Sequence, residues 1–124
     1  MLTGEFNLIK CARKIMGWGA RFVVIKKGEH GSLTFFDDVV FPAVGFSLED
    51  VVDPTGAGDS FAGAMIGYLA SRNSTRIPLI KKAVVYGNVM GSFAVERHGL
   101  DGLAKITKSD ISKRVRTYQR MVRF

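Results

Sequence analysis

The chain has 124 residues, 47% of them hydrophobic and 23% charged, with a formal net charge of +7. That length suits one ordinary domain, and the balance excludes a disordered chain. The single cysteine, Cys11, excludes an internal disulfide framework and fits a reducing compartment, while His30, His98 and Cys11 lie too far apart for a zinc pattern.

Met1 to Gly19 has no continuous apolar stretch and carries Glu5, Lys10, Arg13 and Lys14, so no signal peptide is expected. The longest nearly apolar run, Phe61 to Ala70, is too short to span a bilayer. The expectation is a soluble, cytoplasmic protein with no membrane partner. Much of the positive charge falls late, at Lys105, Lys108, Lys113, Arg114, Arg116, Arg120 and Arg123. Such a cluster reads as a solvated helix face ahead of a nucleic-acid surface, and it also suits a protein that binds a polyanionic nucleotide.

The first element is a helix over Phe6 to Met16, with apolar residues near helical period, ended by Gly17 and Gly19. Arg21 to Ile25 reads as a buried strand without alternation, as in a parallel sheet covered on both faces. Lys26 to Gly31 is a turn, Ser32 to Phe36 a second strand and Asp37-Asp38 a hairpin signal; Val39 to Phe41 is a third strand, closed by Pro42. Ala57 to Ser71 is a helix rich in small residues. Its Gly63 and Gly67 share a face and predict a very close neighbour. Pro78 marks a helix start, and Leu79 to Glu96 follows with a second small face at Ala83, Gly87, Gly91 and Ala94. Ser109 to Val122 is a last amphipathic helix, capped by Ser109, with Ile111, Val115, Tyr118 and Val122 as its stripe. Trp18 and the phenylalanines are expected in the core, with Phe61 behind the turn that precedes it. A single parallel-type strand needs neighbours that this order of elements does not provide. The chain therefore reads as the C-terminal part of a larger α/β protein.

The chemistry concentrates at Asp53-Pro54-Thr55-Gly56-Ala57-Gly58-Asp59-Ser60-Phe61. Pro54 interrupts regular structure, and the glycines then feed a helix start. Backbone N–H groups there have no intrahelical acceptor and carry the positive end of the dipole, which favours a phosphate. Gly56, Ala57 and Gly58 let an anion approach the backbone closely. Asp59 would repel that anion, unless its task is to accept a proton from a hydroxyl that attacks the phosphate. No lysine follows the glycines, so this is not a P-loop. The plainer reading of Asp59 is a carboxylate that complements the helix dipole.

The string Asp-x-Thr-Gly-Ala-Gly-Asp-x-Phe resembles, at every position, the C-terminal signature of the ribokinase (PfkB) family of carbohydrate kinases. Val24 to Gly31 looks like that family's strand and turn along the nucleotide, and Ala83 to Gly99 like its helix whose asparagine, here Asn88, lies near the adenine. The resemblance covers essentially all of residues 1–124 but only the C-terminal part of the family's usual length. Thr3-Gly4-Glu5 looks like the stretch just after the family's Asn-x-x-Glu segment. The sugar-binding half and lid, through which family dimers pair, lie outside it.

The resemblance implies an α/β, ribokinase-like fold: the C-terminal part of a mainly parallel sheet flanked by helices, with a small β-hairpin. It implies transfer of the γ-phosphate of ATP, with Mg²⁺, to a hydroxyl of a sugar or nucleoside, and homodimerisation as one assembly. Asp59 would be the base, and the Gly56, Ala57 and Gly58 turn with the Asp59 N–H would form the anion hole. Lys26, Gly28, Gly31, Gly58 and Asn88 would contact the nucleotide. Asp53 and Thr55, with backbone carbonyls near Ala94 and Gly99, would hold a monovalent cation, usually potassium. The alternatives stay open: Asp53 and Thr55 as hydrogen-bonding turn residues, Gly28 and Gly31 as turn glycines, Lys26 and Lys27 as solvated cations, Asn88 as a helix–helix hydrogen bond. A non-catalytic nucleotide-binding module of the same fold is the alternative function.

Overall fold

Asn7 opens the first helix, α1 (Leu8–Gly17), in the computed structural model, which describes residues 7–48, 55–96 and 103–124. Its Oδ1 accepts from the N–H groups of Ile9 (3.0 Å) and Lys10 (3.2 Å), two donors that a helix start leaves without partners. The chain divides into two units, Met1–Gly45 and Phe46–Phe124.

In the first unit, α1 buries Cys11 and Ala12. Its end is closed by the N–H of Trp18 on Ile15 O and of Gly19 on Met16 O, with Gly19 at φ +111°. Trp18 itself is 63% exposed, contrary to the expected core position; it stands at the C-cap of α1, one residue past the helix.

Three strands follow: β1 (Val23–Lys26), β2 (Ser32–Phe36) and β3 (Val39–Ala43). They form one antiparallel sheet in the order β1-β2-β3. The parallel, doubly covered environment expected for β1 is not present among the described residues. β1 pairs with β2 alone, and Val23, Val24 and Ile25 are half-buried. The core of the sheet is the central strand, where Ser32, Thr34, Phe35 and Phe36 are buried. The hydroxyls of Ser32 and Thr34 have no hydrogen-bond partner there. Asp37 takes φ +46° in the β2–β3 turn, a conformation that Asp tolerates. Pro42 does not close β3. It pairs in register with Leu33 on an edge strand, where a missing N–H costs no ladder bond.

Lys27 to Gly31 folds as a 3₁₀ turn over Gly28–His30, tied by the Lys27 N–H on Gly31 O at 2.7 Å. Gly31 sits at φ +86°, and a Cβ there would overlap Ala43 O and lie 2.7 Å from Gly45 N. The close return of β3 beside the turn therefore requires glycine at this position.

The second unit is built on α2 (Ala57–Arg72), α3 (Ile77–Glu96) and α4 (Lys108–Val122). α2 ends at Asn73, left-handed at φ +47°. Ser74 Oγ then accepts from the Arg76 N–H at 3.2 Å, and α3 begins before Pro78, so the proline stands in its first turn. Phe61, Ala64, Met65, Tyr68 and Leu69 form the inward stripe of α2, and Phe61 is buried against Gly87 of α3.

The close contact between these helices runs through the glycines of α3. A Cβ on Gly87 would lie 2.9 Å from the Phe61 ring, and one on Gly91 would lie 3.3 Å from Ala57 O. The neighbour expected at Gly63 and Gly67 is not there. Among the described residues, nothing lies within 4 Å of either Cβ position, because both face away from the Phe61 stripe.

α4 is capped by Thr107 rather than Ser109. Thr107 Oγ1 accepts from the Asp110 N–H (3.1 Å), and the Asp110 carboxylate accepts from the Thr107 N–H (3.0 Å), a reciprocal box that Ser109 cannot make. Tyr118 is buried with Val89 and Phe93, flanked by Phe46, Ile111 and Val115. Val122, expected on the same stripe, is 46% exposed at the end of the helix. Phe124 is exposed as well, against the expectation for the phenylalanines. Among the described residues, no helix is long and apolar enough to cross a membrane.

Candidate phosphate-binding turn and its supports

Gly56 is the residue on which the turn depends. It precedes α2 in the left-handed region, φ +84° and ψ −6°, and no side chain caps the helix there. The first intrahelical bond runs from the Ser60 N–H to Gly56 O at 2.9 Å. The N–H groups of Ala57, Gly58 and Asp59 therefore precede the hydrogen-bonded ladder and point out of the helix start. Among the described residues, nothing lies within 4 Å of where a Gly56 Cβ would be, and the turn stands at the positive end of a 16-residue helix, an arrangement that suits a phosphate group.

Asp59 is exposed in the first turn of α2, on the same helix start. Phe61 and Ala57 hold that turn from behind, against Gly87 and Gly91. Thr55 is exposed just before Gly56. Asp53 and Gly99, the other expected cation donors, lie outside the described residues, as does His98. Ala94 is buried within the last turn of α3, where backbone carbonyls lack intrahelical donors. Among the described residues, no three His, Cys, Asp or Glu side chains gather as for a metal ion.

The remaining candidates are placed as follows. Lys26 closes β1 in register with Ser32, and Gly28 takes φ +59° with open space at its Cβ position. Both belong to the first unit, as does Gly31. Asn88 donates from Nδ2 to the Tyr118 hydroxyl at 3.4 Å, so it does take part in a helix–helix hydrogen bond. Burial pushes the Tyr118 phenol above its usual range, and the hydrogen bond from Asn88 pulls weakly the other way.

One functional group escaped the sequence reading. Arg114 was grouped with the solvated basic face of α4, yet it is drawn inward. Its Nη2 donates to both carboxylate oxygens of Glu96 (2.9 and 3.0 Å), and its Nη1 donates to Ser92 Oγ at 3.1 Å. Its guanidinium lies 3.8 Å from the Phe93 ring centroid and 5.2 Å from that of Phe46. The signal was its phase: Arg114 sits between Ile111, Val115 and Tyr118 on the apolar stripe, whereas Lys113, Arg116 and Arg120 fall on the exposed side. An open groove of about 450 Å³ runs beside it, lined by Phe46, Leu48, Glu96, Lys113 and Arg114 among others. Among the described residues, none from Thr55 to Asp59 lines this groove.

Residues 2–106 match the pfkB family carbohydrate kinase. The chain is 45% identical over 74 residues to a cytidine kinase of Thermococcus kodakarensis, covering 58% of this chain and 27% of that protein. It superposes with a TM-score of 0.75 and 25% identity on aminoimidazole riboside kinase from Salmonella enterica, solved with aminoimidazole riboside and an ATP analog, over 95% of this chain and 38% of that one. Phosphofructokinase-2 from Escherichia coli, in complex with potassium, gives a TM-score of 0.70 at 25% identity over 90% of this chain and 34% of that one. The chain thus spans between about a quarter and two fifths of the length of these relatives. With the fold and the Gly56–Asp59 turn in agreement, the chain belongs to the pfkB family of carbohydrate kinases.

Proposed function

We propose that this chain supplies the phosphate-binding turn and the catalytic base of an ATP-dependent kinase acting on a hydroxyl of a sugar or nucleoside. The observation that carries the proposal is the left-handed Gly56 turn at the start of α2, with the first N–H groups of the helix unpaired within it and Asp59 in the same turn. Similarity to kinases of cytidine and aminoimidazole riboside supports the acceptor class. A soluble, cytoplasmic protein is part of this reading.

The residues act by placement. Phosphoryl transfer demands alignment and charge stabilisation more than covalent help. The N–H groups of Ala57, Gly58 and Asp59 would receive negative charge as it shifts on the moving phosphoryl group, in a position fixed before the reaction. The Asp59 carboxylate would take the proton of the attacking hydroxyl. Lys26, Gly28 and Gly31 of the first unit, with Asn88, would contact the nucleotide. ATP bound with Mg²⁺ supplies the phosphoryl group. Asp53, Thr55 and the carbonyls near Ala94 and Gly99 would offer only oxygen donors, which would suit a hard monovalent cation such as the potassium of the phosphofructokinase-2 complex.

The test uses the complete protein and a panel of sugars and nucleosides, with ADP release as the readout. An acceptor that drives ADP release, and an Asp59→Asn variant with turnover lowered by about 10²–10⁴-fold at nearly unchanged ATP affinity, is the expected result. Parental turnover in Asp59→Asn overturns the base assignment. Nucleotide binding with no release for any acceptor favours the non-catalytic module.

A further inference from the structure

We infer that Arg114 is a positioning residue for the Gly56–Asp59 turn, acting through the last turns of α3. The inference rests on the proposal that this turn handles the phosphoryl group. Arg114 does not touch the turn. It grips the element against which the turn is built.

The contacts are specific. One guanidinium binds both carboxylate oxygens of Glu96, donates to Ser92 Oγ and stacks on Phe93, three residues of the final α3 turns. Ser92 Oγ donates in turn to Val89 O at 2.6 Å, so the grip continues into the helix backbone. The ion pair is only partly exposed, with 18% of the Arg114 side chain and 29% of that of Glu96 accessible. Such a pair is screened less than a surface one, and the planar fork sets orientation as well as distance.

The same turns of α3 carry the backing of the phosphate-binding turn. Gly91 is adjacent to Ser92, and Ala57 O lies 3.3 Å from its Cβ position. Gly87, one turn earlier, receives the Phe61 ring. A glycine contact has no side chain to absorb a shift, so a displacement of α3 passes directly to Ala57 and Phe61. The backbone between Ala57 and Phe61 holds the N–H groups of Gly58 and Asp59. Arg114 also covers Phe46, so one side chain ties the segment ahead of α2 to α3 and α4.

A lysine would keep the charge but lose the fork and the stacking plane. A glutamine would lose the charge as well. The complete protein is compared as parent, Arg114→Lys, Arg114→Gln, Glu96→Gln and the double variant Arg114→Gln/Glu96→Gln, at a temperature where thermal scans show each folded.

The expected result is kcat lowered by about 10- to 100-fold in Arg114→Gln, with nucleotide affinity changed less than about threefold. Arg114→Lys recovers part of the loss. The double variant is no worse than Arg114→Gln, because both changes break one unit. The amide resonances of Ala57, Gly58 and Asp59 provide a readout independent of turnover, and they move in Arg114→Gln. If those amides stay at their parental positions, or if folded Arg114→Gln keeps parental kcat and only its melting point falls, Arg114 is a strut and the inference fails. A parent that releases no ADP with any acceptor sinks the kinase proposal alone, since the amide shifts still decide the role of Arg114.

Discussion

The ring of Phe61 fills the space that a side chain at Gly87 would need: a Cβ there would lie 2.9 Å from Cδ2, 3.0 Å from Cε2 and 3.1 Å from Cγ. Three ring atoms would be met at once, so no small rotation relieves the clash. The start of α2 is thus seated on α3 by an aromatic ring against bare backbone. This seating fixes where the N–H groups of the Gly56–Asp59 turn point.

Two glycine substitutions of opposite sign follow from it. Gly87→Ala should destabilise the protein by about 1–3 kcal/mol, because the buried ring or the helix must shift. Gly63→Ala should stabilise it by about 0.5–1 kcal/mol, because an interior helix glycine is replaced where nothing lies within 4 Å. Urea unfolding of both variants measures the difference. Equal effects of the two would mean that the α2–α3 contact does not run through Gly87.

A second pair tests the turn of the first unit. Gly31→Ala places a Cβ onto Ala43 O at a backbone of φ +86°, whereas Gly28→Ala meets open space at φ +59°. The cost at Gly28 should be about 1–2 kcal/mol, the left-handed penalty alone. At Gly31 the backbone overlap adds to it, and thermal melts followed by circular dichroism should rank Gly31→Ala clearly lower. Matching melts would show that β3 does not close against this turn.

Tyr118 predicts an alkaline loss of stability. Burial raises its phenol above the ordinary tyrosine range in the folded protein, with the Asn88 hydrogen bond opposing in part. In the unfolded chain the phenol ionises near pH ~10. Below that pH both states hold the proton and the contribution is fully present. Above it the unfolded state binds fewer protons than the folded one, so stability falls as pH rises, up to the folded value. The comparison is parent against Tyr118→Phe, which differ at this phenol alone. The parent's urea midpoint should drop more steeply as pH rises above about 10. Parallel curves would remove Tyr118 as the source.

The positions of the helices and of the hairpin were legible because periodicity and turn residues act locally. Asp37-Asp38, Gly19 and the helix start after Gly56 each follow from the dihedral preferences of one or two residues. Cap choice at α4 was less legible. Thr107 and Ser109 are both good caps, and the reciprocal bond with Asp110 decides between them. Pro42 misled for a related reason: a proline ends a central strand but is tolerated on an edge, and edge status is a property of the sheet.

The sequence by itself determined the family and the fold class, because the signature string from Asp53 to Phe61 is defined by neighbours in the chain. The tertiary structure alone decided which faces meet. Gly63 and Gly67 look as close-packing as Gly87 and Gly91 on paper, but only the latter pair receives α2. Arg114 looks like its basic neighbours, but α4 turns it onto Glu96, Ser92 and Phe93. The physical reason is shared: the rotation of a helix about its axis, and hence the partner of each face, is set by burial summed over all the elements packed together, which no local stretch of sequence contains.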